Sequence, residues 1–361
     1  MDSLASPASA DDRAIRFTGN WREYLPIAIS NALLIICTLG IYRFWAAARQ
    51  RRYLWSRTQL IDDSLEWTGT GKEMFLGFLI VIAVLAPFFL FIQFLFPALV
   101  ARGKEEAAFG LIFLFEIALL YLAGFARFRA LRYRLSRSYW HGIRGGSNDP
   151  GWNYGGEYLG RYALVFMTMF IMFPWAQTRL WNQRWNAMSF GPLQFHADLD
   201  AEGLKRRWAL IYVAPFGLLL AGIVMGVIAA AGLNGTAGPP VGLMAIVIGF
   251  FVLFYLAIPL ATLHWFAKYY RKAAARTTLG DLQFGFDAST WDWLKLFLGN
   301  VGLAIVTLGF GLTYWGYRHW SFMVRHAHLY GTIDVSELTQ STTHAPREAE
   351  GFADAFDVGA I

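Results

Sequence analysis

The sequence predicts an α-helical polytopic membrane protein: two transmembrane hairpins, three re-entrant or short membrane helices, repeated basic amphipathic helices, and a small cytoplasmic β-sheet. Three observations predict it. Of 361 residues, 56% are apolar, 17% aromatic and 16% charged, against about 45–50% apolar and about 25% charged in average soluble domains. Four long runs are apolar enough to span a bilayer, which takes about 20 residues. A basic, aromatic stretch follows an apolar run five times.

In chain order, residues 1–14 lack the basic-then-apolar order of a signal peptide and read as a disordered tail. A first repeat covers 15–145. Its Tyr24–Tyr42 run contains Pro26 and ends at Thr38-Leu39-Gly40, where the chain is expected to reverse. The next helix places Ile41, Phe44, Trp45, Ala48 and Trp55 on one face, with Arg43, Gln50 and Arg57 opposite. Such a helix suits the membrane interface, with Trp rings at headgroup level and Arg52 snorkelling from the apolar stripe. Spans follow at about 74–100 and 107–126, the second interrupted only by Glu116.

The basic pattern Arg49, Arg52, Tyr53, Arg57, Thr58 recurs as Arg129, Arg132, Tyr133, Arg137, Ser138, and again as Lys268, Arg271, Arg276, Thr277. Weaker copies contain Trp175, Arg179 and Arg184, and then Trp315, Arg318 and Phe322. The second repeat, 146–285, has a broken run at Tyr162–Thr178 and spans at about 208–232 and 241–266, joined by the turn GLNGTAGPP. A third, partial repeat occupies 286–336, with Thr307-Leu308-Gly309 inside it, and 337–361 reads as a second disordered tail. Alternation at Leu65–Thr68, Leu193–His196, Leu282–Phe286 and Ile333–Val335 predicts short strands.

Charge sets the topology, because lysine and arginine favour the cytoplasmic side. With four spans, the outer loops hold only Arg102 and Lys104 of the 31 basic residues. With seven spans the basic residues divide almost evenly, and the repeats become inverted as in transporters. The four-span arrangement is preferred, with the broken runs dipping in and returning on the cytoplasmic side.

These residues resemble the YjgN-like family of bacterial inner-membrane proteins. The resemblance rests on Phe17-x-Gly19, Glu23-Tyr24, Asn31, Thr38-Leu39-Gly40-Ile41-Tyr42, Trp45, Arg49, Arg52-Tyr53 and Thr58, and on Asn300, Thr307-Leu308-Gly309 and Trp315. It covers most of 15–335 and implies a multi-pass protein of the bacterial inner membrane, with no known catalytic residues. The middle unit departs from it, with Phe173-Pro174-Trp175 where Thr-Leu-Gly is expected.

Little in the sequence points to chemistry. The single cysteine, Cys37, excludes a disulfide framework or a cysteine-based zinc site. P-loop, dinucleotide-binding and Gly-x-Ser-x-Gly patterns are missing, so neither a cofactor nor an enzyme is expected. His319, His326 and His328 read as interfacial side chains rather than metal ligands. Glu116, with Gln93 across its hairpin, is the candidate polar site within the membrane, since an ionisable residue there is costly.

The candidate lipid-headgroup contacts are Arg49, Arg52, Arg57, Arg129, Arg132, Arg137, Lys268, Arg271, Arg276, Trp45 and Trp55. Each basic residue near an anionic surface contributes about 1 kcal/mol. The expected partner is therefore an anionic bilayer and not nucleic acid; a second copy of the chain or a cytoplasmic protein is left open. The favoured role is a non-catalytic membrane or lipid-interface organiser. The alternative is a small-molecule or ion transporter with a path between the hairpins.

Overall fold

The computed structural model describes residues 14–232, 241–333 and 338–344. Its base is made of strands. β1 (Ile15–Phe17), β2 (Thr58–Leu60) and β3 (Asp63–Ser64) form one antiparallel sheet. A second sheet holds eight strands in strict chain order, each antiparallel to the next. They are β4 (Glu66–Trp67), β5 (Ser138–Trp140), β6 (Ile143–Gly146), β7 (Ser189–Phe190), β8 (Leu193–Ala197), β9 (Thr277–Leu279), β10 (Leu282–Phe286) and β11 (Ala327–Tyr330). Trp140 Nε1 donates to the Leu60 carbonyl at 3.0 Å and ties the sheets together. β1 lies beside β11, so the strands curl toward a ring.

Helices leave this ring and return to it in pairs. α1 (Trp21–Cys37) and α2 (Arg43–Ser56) stand between β1 and β2. Between β4 and β5 run α3 (Gly71–Leu90), a π-helical stretch (Phe91–Leu95), α4 (Phe96–Ala101) and α5 (Glu105–Arg137). α6 (Trp152–Met167) and α7 (Phe173–Asn186) link β6 to β7; α8 (Leu204–Gly232) and α9 (Val241–Ala275) link β8 to β9. Last come α10 (Thr290–Val306), a 3₁₀ stretch (Phe310–Tyr314) and α11 (Trp315–His326), leading into β11. Because both ends of every pair are held at the ring, the tips point away from it.

Local chemistry starts these helices where they start. Asn20 accepts the Arg22 N–H, and Thr70/Glu73 and Ser289/Asp292 form reciprocal capping boxes. At 1.5 Å per residue, α1 reaches about 25 Å and α5 about 50 Å. Gly124 lets α5 approach α6 closely: a Cβ there would lie 2.4 Å from Tyr158 Cβ.

The repeated Thr/Ser that ends each good copy of the basic pattern has a structural explanation. Thr58, Ser138 and Thr277 each donate a hydroxyl to the carbonyl four residues back, at 2.8 Å in all three cases. Each also accepts an indole N–H from another hairpin's return helix: Trp320 to Thr58 (2.8 Å), Trp55 to Ser138 (2.8 Å) and Trp181 to Thr277 (3.1 Å). Three equivalent links thus lock helices to strands around the ring.

The expected fold needs correction. An all-helical polytopic protein with two transmembrane hairpins and at most a small sheet is contradicted by the eight-stranded sheet on which, among the described residues, four of the five helical pairs are mounted, α1 and α2 standing on the three-stranded one. Among the described residues, two helical stretches are long and apolar enough to cross a membrane, Gly71–Ala101 and Glu105–Arg137. The runs read as spans at 208–232 and 241–266 are helical as α8 and α9, and the turn at 233–240 lies outside the described residues. The sheet was underestimated because its strands are two to five residues long and pair with partners far along the chain, as in Trp67 with Ser138 and Ala197 with Thr277. The alternating stretches at 65–68, 193–196 and 282–286 do contribute β4, β8 and β10. The fourth does not: Ile333 is not in a strand, residues 334–335 lie outside the described residues, and the last strand is β11, upstream of it. Most of both tails, 1–13 and 345–361, also lies outside them.

Candidate lipid-interface site

Three short helical pairs end in the same turn. Thr38, Thr168 and Thr307 each donate a hydroxyl to the carbonyl four residues back, Leu34 (2.7 Å), Leu164 (2.8 Å) and Leu303 (2.6 Å). Each also accepts the N–H four residues on, from Tyr42 (2.9 Å), Met172 (3.3 Å) and Gly311 (2.6 Å). The two residues after each threonine are left-handed: Leu39 and Gly40, Met169 and Phe170, Leu308 and Gly309. The second of each pair donates its N–H back to Ile35, Val165 or Ala304, closing a Schellman-type end.

The middle turn is therefore at Thr168-Met169-Phe170, five residues before the Phe173-Pro174-Trp175 departure. A phenylalanine at φ +68° occupies the place that glycine takes in the other two turns. Around these internally bonded turns the side chains are apolar and bare: Leu39 is 94% exposed, Leu308 91% and Met167 80%. Backbone satisfied from within, under an apolar surface, is what a medium without water requires.

The return helices from these tips carry the basic-aromatic residues, and the fold treats them unequally. Arg49, Arg52 and Trp45 are exposed on α2, Arg49 donating to Ser30 Oγ at 2.9 Å. Arg57, also exposed, pairs with Glu23 at 2.8 Å. Arg276 is exposed, whereas Lys268 and Arg271 on α9 are half-buried. Arg129 lies over the Phe125 ring and donates to the Pro150 carbonyl at 2.8 Å.

Three candidates are structural instead. Trp55 is buried and stacked on Trp320, 4.0 Å between ring centroids. Arg132 is buried and donates to the Asp149 carbonyl at 2.9 Å. Arg137 pairs with Glu73 at 2.7 Å, the two side chains only 18% and 14% exposed. Glu116 and Gln93 both lie on outward faces of their hairpin rather than between its helices.

A groove of about 810 Å³ opens between α1 and the α10–α11 pair. Leu25, Ile29 and Phe310 line its apolar length, and Lys295, Arg318 and Arg325 its basic part. Arg318 Nε is buried with no hydrogen-bond partner. Gly299 leaves the room its guanidinium needs, since a Cβ there would meet Arg318 Nη2 at 2.4 Å. Asp292 lines the groove as well and pairs with Lys295 at 3.7 Å. In the sequence, Arg318 appears only as a weak copy of the basic pattern; its place in the groove is visible only in three dimensions.

At the strand end of this region, Asp287 bridges two histidines, bonded to His326 Nδ1 at 2.6 Å and His328 Nε2 at 2.8 Å. Burial raises the Asp287 carboxyl, but the hydrogen bonds and charge of both imidazoles outweigh it and hold it below its ordinary range. Among the described residues no cluster of three or more His, Cys, Asp or Glu could hold a metal ion.

A strand ring carrying apolar-tipped helical pairs and basic-aromatic return helices defines an α+β protein built to meet a bilayer. The family of bacterial proteins of unknown function termed DUF898 matches residues 12–355, and the chain belongs to that family. Inner membrane protein YjgN of Salmonella typhimurium is 31% identical over 84 residues, 23% of this chain and 21% of that protein. The YjgN protein of Escherichia coli O157:H7 is 28% identical over 144 residues, 40% of this chain and 33% of that protein. The chain thus spans a third or less of the curated relatives it matches. No solved structure matches it.

Proposed function

We propose that the protein is a non-catalytic organiser of the bacterial inner membrane that grips one leaflet and displays its strand ring on the cytoplasmic side. The three bare, internally bonded tips carry this reading. They enter the acyl region as re-entrant pairs of one repeated unit, while Arg49, Arg52 and Trp45 sit at headgroup level and the α1/α10–α11 groove holds an anionic lipid. The relatives' name, inner membrane protein, supports the location, and the bare apolar surface of Gly71–Ala101 and Glu105–Arg137 supports insertion. Ionic pairing with an anionic surface suits the excess of basic residues, 31 against 25 acidic.

The chain supplies its own probe. Cys37, its one cysteine, is exposed at the end of α1, next to the first tip. A fluorophore on Cys37, in bilayers containing brominated lipid, is expected to be quenched by the acyl bromine and shielded from aqueous iodide. Quenching by iodide alone places the tip in water and sinks the reading.

A further inference from the structure

A second cavity, of about 510 Å³, lies among α5, α6, α7 and α9. Two arginines, Arg127 and Arg184, line it together with four tyrosines and Gln177, and among the described residues no carboxylate does. Arg184 is 93% buried, its accessibility being 7% of that of a free residue. Its Nε is enclosed and unbonded, and among the described residues the side chain has no hydrogen-bond or ion-pair partner. It lies over the Trp181 ring, 5.6 Å from the centroid, as Arg127 lies over the Tyr158 ring at 5.2 Å. The acid on α6, Glu157, is engaged by Arg161 at 2.5 Å. A buried guanidinium without a counter-ion is costly, and burial alone does not explain its retention beside a second cation.

We propose that this cavity is an oxyanion site, which takes a phosphate group on Arg184 and Arg127. The tyrosine hydroxyls border the same space, Tyr162 OH accepting from Gln177 Nε2 at 2.6 Å. Phosphate suits two guanidinium forks better than a point charge does. Arg184 lies near the strand end of α7, whereas Phe173 and Phe266 line the cavity's apolar part. The group can therefore arrive as free phosphate or as the headgroup of an anionic lipid. The inference goes beyond the leaflet-gripping role, because an enclosed site needs no contact between tips and acyl chains.

The full-length protein in phosphatidylcholine nanodiscs is titrated with inorganic phosphate by calorimetry; a parallel sample contains phosphatidylglycerol, with retained lipid read by native mass spectrometry. Saturable phosphate binding points to a free anion, and one tightly retained phosphatidylglycerol per chain to a headgroup. Arg184→Gln is expected to weaken whichever binds by at least about tenfold, while matching or exceeding the wild-type melting temperature in the anion-free sample. Unchanged affinity in Arg184→Gln, or a wild-type protein that binds neither, overturns the proposal. Should Arg184→Gln fail to fold, Arg127→Gln and the two wild-type titrations decide it on the same terms. Failure here leaves the Cys37 quenching result untouched.

Discussion

Glu73→Ala severs three partnerships at once. Its Oε1 holds Arg137 at 2.7 Å, and its Oε2 accepts the Tyr133 hydroxyl at 2.9 Å and reaches back to the Thr70 N–H at 3.4 Å. The ion pair is 18% and 14% exposed, between surface pairs worth about 1 kcal/mol or less and fully buried ones whose breakage costs about 3–5 kcal/mol; about 2 kcal/mol is the working value. The fully buried Tyr133 loses its acceptor, adding about 1 kcal/mol. The Thr70 half of the capping box survives, since its hydroxyl accepts the Glu73 N–H whatever side chain follows.

Glu73→Ala is therefore expected to cost about 3 kcal/mol and Arg137→Ala about 2 kcal/mol, with a coupling of about 1.5 kcal/mol in the double mutant. Reversible unfolding in mixed micelles, followed by near-ultraviolet circular dichroism, measures all three. Coupling below about 0.5 kcal/mol would refute the reasoning and return Arg137 to the lipid-facing set in which its sequence pattern places it.

Two further outcomes follow from the packing. Gly124→Ala drives a Cβ to 2.4 Å from Tyr158 and should lower stability by about 1–3 kcal/mol; Gly110→Ala, on the same helix with open space around it, should be neutral or stabilising. The Asp287 carboxyl is depressed in the folded protein, so its stabilising share is present above about pH 4, its ordinary range, and is lost as pH falls through the lower folded value. The melting-temperature gap between wild type and Asp287→Asn should accordingly close on acidification below pH 4, and a gap that widens there refutes the bridge.

The reading of the chain succeeded wherever structure is made within about one helical turn. Thr38 and Thr307 reverse the chain because each threonine bonds four residues back and four residues on. The same chemistry hid at Thr168, because Phe170 stands where glycine marks the other turns. Three of the four alternating stretches contribute strands, β4, β8 and β10.

The assignment of individual arginines fared otherwise. Arg52 and Arg132 hold the same place in the pattern, yet the first is exposed on α2 and the second is buried and bonded to the Asp149 carbonyl. Glu116 shows the same limit: its place in an apolar run is plain, but which way it faces is set by how α5 meets its neighbours.

Hydropathy, capping residues and Thr-centred turns depend on neighbours within a few bonds, so the order of residues alone decided that this chain makes apolar helical pairs with basic return helices. Strand order, the tryptophan–hydroxyl links and the fate of each cation depend on groups brought together from distant parts of the chain. Antiparallel pairing of two-residue strands has no local signature strong enough to announce its partner. Only the folded chain determines which guanidinium meets a carboxylate, which meets a carbonyl, and which is left, like Arg184, facing a cavity.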